Sequence, residues 1–199
     1  DGKNLYFTRA QGYRKGMALD SIRYDLCRIS FDASTEKMGA PEMVLQASAQ
    51  QKSISFPCVS PNGKYLMFTL SDYGNFSIWH PESDLYIMDL TTGTTKNLEN
   101  VNSSDVDSYH TWSSSGHWFV FSSKRMDGLW ARPYIAAFNP ETGETGKAFL
   151  LPQEDPMFYD NYTYTYNRPE LIKTAVKNGK EFEKIIQQAA IPSTPKKNH

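Results

Sequence analysis

The chain has 199 residues, of which 39% are hydrophobic, 14% aromatic and 22% charged, and its formal net charge is -1. That profile builds a folded core rather than a disordered tail, and the scatter of Lys and Arg excludes the basic footprint that holds nucleic acid phosphates. No run reaches the ~18 apolar residues of a membrane span, and no charged-then-apolar leader opens the sequence.

In chain order, the first signal is an internal repeat. Asp1-Gly2-Lys3-Asn4-Leu5-Tyr6-Phe7-Thr8 is echoed by Ser60-Pro61-Asn62-Gly63-Lys64-Tyr65-Leu66-Met67-Phe68-Thr69. It is echoed again by Ser113-Ser114-Ser115-Gly116-His117-Trp118-Phe119-Val120-Phe121-Ser122. Each copy reads as a turn followed by an apolar strand, with Asp-Gly, Asn-Gly and Ser-Gly supplying the positive φ of a two-residue hairpin turn. A strand is expected before the turn at 55–59 in the second copy and 108–112 in the third, whereas the first copy begins at its turn and lacks this innermost strand.

A further strand follows in each copy, at 24–31, 85–90 and 134–138, rich in aromatic and β-branched residues. Leu90-Thr91-Thr92-Gly93 and Asn139-Pro140-Glu141-Thr142-Gly143 then make a Gly-terminated turn before a short last strand, near 95–98 and 149–151. Met43-Val44-Leu45 takes that place in the first copy. Asn62 and Ser115 lie 53 positions apart and Asp1 and Asn62 lie 61 apart, more than the ~40 to 45 residues of a minimal four-stranded blade. The excess is expected in loops: 8–23 and 33–40 in the first copy, 71–83 in the second and 124–132 in the third.

After Pro152 the pattern changes. The aromatic run Phe158, Tyr159, Tyr162, Tyr164 and Tyr166 reads as a strap over the last blade. Residues 170–191 carry apolar side chains near helical spacing, with Gly179 as a break, and 192–199 as a loose tail. The expected organisation is all-β: a partial propeller over 1–168, with blades at about 1–50, 51–104 and 105–168, and a short helical extension over 169–199. Cys27 and Cys58 fall on strands, where a free thiol behaves as a small buried hydrophobe.

The run 60–68, followed by Asp84-Leu85-Tyr86-Ile87-Met88-Asp89-Leu90-Thr91-Thr92-Gly93, resembles the repeat of TolB-type, WD-repeat-like propellers, with its Ser-Pro-Asp-Gly-Lys turn and Leu-Tyr-x-x-Asp strand. The copies depart from it at Asn62, Ser114, His117 and Arg132-Pro133. The stretch 69–161 is also similar to envelope-associated propeller proteins of Bacteroidetes-like bacteria. This resemblance implies a periplasmic or envelope location. Propellers close with ~4 to 8 blades, so three copies imply an open arc whose remaining blades are missing or come from another chain.

Catalytic signals are weak. No Gly-x-Ser-x-Gly elbow occurs, and Ser113 to Ser115 read as turn residues. Neither His-Glu-x-x-His nor paired Cys spacing is present, so no metal or cofactor is expected. His110, on an inner strand, is the one channel-facing candidate. Asp105, Asp107, Asp127, Asp155 and Asp160 are available for a glycosidase pair but sit in expected loops. The binding candidates are Trp79, His80, Trp130 and Arg132, in equivalent insertions of consecutive blades, where aromatic and Arg anchors suit a protein partner and also suit a glycan. The expected function is non-enzymatic binding through this rim. The alternatives are a lyase or glycosidase working in the channel, or the gating propeller of a peptidase.

Overall fold

The computed structural model describes residues 2–74, 76–175 and 179–188. Twelve strands form three four-stranded antiparallel sheets. In the first, β1 (Asn4–Ala10) pairs with β2 (Tyr24–Asp32), whose outer edge is shared by β3 (Lys37–Met38) and β4 (Glu42–Leu45). The second runs in the order β5 (Ser53–Val59), β6 (Tyr65–Ser71), β7 (Asp84–Asp89), β8 (Thr95–Asn97), and the third in the order β9 (Asp107–Trp112), β10 (Trp118–Ser123), β11 (Arg132–Ala137), β12 (Phe149–Leu150). Among the described residues no strand pairs with the other edge of β1, the edge that β5 and β9 cover in the other two sheets.

Strand periodicity decides how the sheets stack. Along β6, Leu66 and Phe68 face the first sheet and pack with Leu26, Ile54 and Met88, whereas Tyr65 and Met67 face the third and meet Phe119, Phe121 and Phe138. The central sheet is therefore apolar on both faces. Each neighbouring sheet buries one face against it, the packing of successive propeller blades.

Two local features repeat with the sequence. In each hairpin a Ser opens a four-residue loop: Ser60 N–H donates to Tyr65 O and Ser113 N–H to Trp118 O, both at 2.8 Å. The same serine hydroxyl accepts the returning N–H, from Tyr65 at 3.0 Å and from Trp118 at 3.2 Å. Only the glycine of each turn, Gly63 (φ 74°) or Gly116 (φ 72°), is left-handed. The two-residue turn expected from Asn-Gly and Ser-Gly is thus replaced by a longer loop closed by the serine side chain. The second feature is a bulge in each inner strand, at Phe56 (φ 54°) and Tyr109 (φ 56°). These two rings meet edge to face at 5.0 Å, tying β5 to β9.

Other expectations are corrected. Part of 33–40 is strand: Asp32 accepts from Ser34 and Thr35, turning the chain so that β3 returns on β2. Gly179 starts a helix, α1 (Gly179–Ile186), instead of breaking one, and 170–175 is not helical. Residues 176–178 and 189–199, including the tail, lie outside the described residues. Both cysteines are free, and burial raises both thiol pKa values.

The aromatic run crosses the third sheet. Ser122 hydroxyl donates to Asn167 O, Thr111 hydroxyl to Pro169 O at 2.6 Å, and Tyr166 N–H to Ala131 O at 2.9 Å. Ser122 is the repeat equivalent of Thr69, whose hydroxyl meets Ser108 of β9. The strap therefore lies against the third sheet where β9 lies against the second.

Candidate binding rim

The long connections β1–β2, β6–β7 and β10–β11 emerge at one end of the sheets and touch in sequence. Gly74 N–H donates to Ile22 O at 2.7 Å, linking the first insertion to the second. Ile78, Val106, Ala131 and Tyr109 pack together beneath the second and third.

In the second insertion a single 3-10 turn, Ser77–Trp79, turns Ser77 and Ile78 inward, where Ser77 hydroxyl pairs with Ser108 hydroxyl at 2.7 Å. Residues three apart eclipse in such a turn, so Phe76 and Trp79 share its outer side, each 69% exposed. Phe76 holds φ 51°, a left-handed conformation unusual for a bulky residue. In the third insertion Asp127 accepts from the N–H groups of both Leu129 and Trp130 at 2.8 Å. Gly128 (φ 71°) completes that turn and projects Leu129 and Trp130 into solvent. Tyr13 and Leu19 of the first insertion and Met126 of the third are likewise exposed.

Trp79 and Leu129 flank a notch of about 180 Å³ that is also lined by Ile78, Pro81, Asp105 and Lys124. Lys124 Nζ sits 3.6 Å from the centre of the Trp79 ring. Larger hollows run along the outer strands but are lined chiefly by exposed polar residues such as Lys96, Glu99, Asn100 and Glu144.

The sequence-derived candidates separate in space. Trp79 and Trp130 lie exposed on the rim, but His80 is buried beneath it, its ring 4.1 Å from that of Tyr73 and its Nδ1 3.3 Å from Glu82 out of hydrogen-bond geometry. Arg132 does not belong to the rim surface. Its guanidinium is 2% exposed and donates to the carbonyls of Tyr159, Tyr162 and Tyr164, holding the strap. His110 does not open onto a channel: it is fully buried, and burial lowers its pKa to about 4. Among the described residues no three His, Cys, Asp or Glu side chains gather to hold a metal ion.

The acidic residues are committed elsewhere. Asp107 lies in a strand, not a loop, and pairs with Arg125 at 2.5 Å while accepting from Ser103; burial raises its pKa, opposed by Arg125. Asp105 accepts from Val106 N–H at 2.7 Å. Phe76, Leu129 and Lys124 were not singled out from sequence. The available signal was large apolar residues, and one lysine, inside Gly-containing loops.

No family model matches the chain, and no curated protein matches it. Among solved structures it is similar to the β-propeller domain of the Trilobed protease from Pyrococcus furiosus, at 14% identity over 77% of this chain and 41% of that one, with TM-score 0.42. A luciferin-regenerating enzyme matches at 12% identity over 75% and 47% of the two chains, TM-score 0.46. An oligogalacturonate lyase in complex with manganese matches at 13% identity over 78% and 54%, TM-score 0.37. The chain spans about half or less of the length of these structures. Its three sheets, stacked face to face with inner strands side by side, make it a segment of a β-propeller. Among the described residues no helix is long and apolar enough to cross a membrane.

Proposed function

We propose that the chain is a non-enzymatic binding module of the bacterial envelope that engages a protein partner through the rim of its three insertions. The observation that carries this reading is the side-by-side exposure of Phe76 and Trp79 on one short turn, with Leu129 across the notch. Exposed apolar surface of this kind marks interaction sites on soluble proteins, and aromatic anchors dominate protein interfaces. The left-handed Phe76 adds to the case, because about 1–3 kcal/mol of backbone strain is kept where it turns a side chain to use. The envelope setting rests on the resemblance of residues 69–161 to envelope-associated propeller proteins. Completion of the ring, by further blades of this polypeptide or of another chain, belongs to the same proposal.

The test uses the chain as bait in envelope extract, followed by binding measurements with the purified captured protein. Trp79→Ala and Leu129→Ala are expected to weaken binding at least ~10-fold each, the loss for an anchor worth about 1.4 kcal/mol or more. Phe76→Gly is expected to raise stability by about 0.5–1 kcal/mol while also weakening binding, because glycine adopts positive φ without strain. Unchanged affinity in all three variants would overturn the rim.

A further inference from the structure

The two ends of the arc are unfinished in opposite ways. At one end a sheet lacks a strand: among the described residues nothing pairs with the inner edge of β1, and such an edge invites pairing with another chain. At the other end a strand-like segment lacks a sheet. Tyr166 N–H donates to Ala131 O at 2.9 Å as Asp107 N–H of β9 donates to Ser83 O at 2.8 Å, and Ser122 hydroxyl meets Asn167 as Thr69 hydroxyl meets Ser108. The strand registers make Ala131 the repeat equivalent of Ser83 and Ser122 that of Thr69. Both bonds therefore seat Tyr166 and Asn167 where the inner strand of a further sheet begins, and among the described residues no strand follows to build that sheet.

The faces at the two ends are complementary as well. Inside the arc, the face carrying Tyr6 meets that carrying Leu66, and the face carrying Met67 meets that carrying Phe119. Strand alternation turns Leu5, Phe7, Ile29 and Met43 away from the second sheet at one end, and Trp118, Ile135 and Phe149 away from it at the other. Leu5 and Phe7 are the repeat equivalents of Leu66 and Phe68, and Trp118 is that of Tyr65. The ends are thus the same two half-interfaces that join the sheets inside the arc, with Leu5, Met43, Trp118 and Phe149 exposed. Burying them removes apolar surface from water.

A partner that offers the missing face, an open β1 edge and a strap is another copy of this chain. We infer that two copies join head to tail into one ring, the strap of each adding along β1 of the other as the inner strand of its first sheet. A head-to-tail contact gives either a closed ring or an open filament. Two copies of three sheets give six, inside the ~4 to 8 of closed propellers, whereas three copies give nine. In the second sheet Ser55 stands opposite Thr69, so in the ring Asn167 of one copy stands opposite Thr8 of the other.

This rests on the reading that the arc is completed, and names what completes it. Sedimentation equilibrium of the full chain between ~1 and ~200 µM is expected to show a two-chain species with a dissociation constant on the order of 10 µM. Leu5→Asp and Trp118→Asp each set two carboxylates against apolar surface in the ring and should weaken it at least ~100-fold. Circular dichroism should not change, because both side chains are exposed in the single chain. Under mild oxidation, Thr8→Cys chains mixed with Asn167→Cys chains should give a disulfide-linked pair in at least ~10-fold higher yield than either variant alone, since facing Cβ atoms of paired strands lie ~4.5 to 5.5 Å apart. A single chain at ~200 µM, assemblies of three or more copies, or a pair that Trp118→Asp leaves intact would overturn the head-to-tail ring. A pair without the mixed disulfide would overturn the strap as its shared strand. The rim is judged separately, by the affinities of Trp79→Ala and Leu129→Ala for the captured protein, so the two can fail independently.

Discussion

The two outward faces of the arc are built from the same repeat, yet they end differently. On the forward side, Ser122 of the third sheet occupies the position of Thr69 in the second, and the chain's own strap is hydrogen-bonded to it, latched by Arg132. On the rear side, Leu5 and Phe7 occupy the positions of Leu66 and Phe68, and among the described residues nothing comparable covers them. Leu5 is 52% exposed where Leu66 is fully buried. A repeat thus defines a face, but only a neighbour makes it core. The rear face, together with the free edge of β1, is where the proposed additional blade docks.

The largest expected effect tests that contrast at matched positions. Leu66→Ala should destabilise the chain by about 2–5 kcal/mol, as large-to-small changes in a filled core do. Leu5→Ala should cost under about 1 kcal/mol, because its side chain is half solvated already. Chemical denaturation of both variants checks this, and equal losses would mean that the rear face is covered in solution. Sedimentation velocity adds a second readout: if the exposed face drives self-association, Leu5→Ser should reduce it.

Next comes the latch. Arg132→Met removes the donor shared by three strap carbonyls and should cost about 3 kcal/mol. Limited proteolysis should then cut within 152–169 before the sheets are attacked.

A subtler effect lies at the interior interface. His110 is buried and uncharged, with its pKa lowered from 6.5 to about 4, so the unfolded chain binds its proton more readily than the folded one. This contribution to stability is complete above about pH 6.5 and is lost as pH falls toward 4, by at most about 3 kcal/mol. Thermal unfolding across that window should show the decline, and His110→Met should flatten it.

The repeat was legible because hairpins are local. Gly63 and Gly116 sit at turns that need left-handed backbone, and the unbroken apolar run Tyr65-Leu66-Met67-Phe68 declares a strand with two apolar faces. The rim was half legible: Trp79 and Trp130 stood out in polar loops, but nothing in their spacing separated them from His80 and Arg132, which fold underneath. The turn type was misread because Ser60 and Ser113 close their loops with side-chain hydroxyls, an interaction that dipeptide patterns do not encode.

The sequence by itself determined the three sheets and, β3 apart, the strands that make them, because these follow from apolar runs and glycine turns between residues near in the chain. Only the tertiary structure decided which of those faces found cover and which insertion residues point outward. These depend on residues as far apart as Arg132 and Tyr164, or Lys124 and Trp79, whose meeting is fixed by how whole sheets stack.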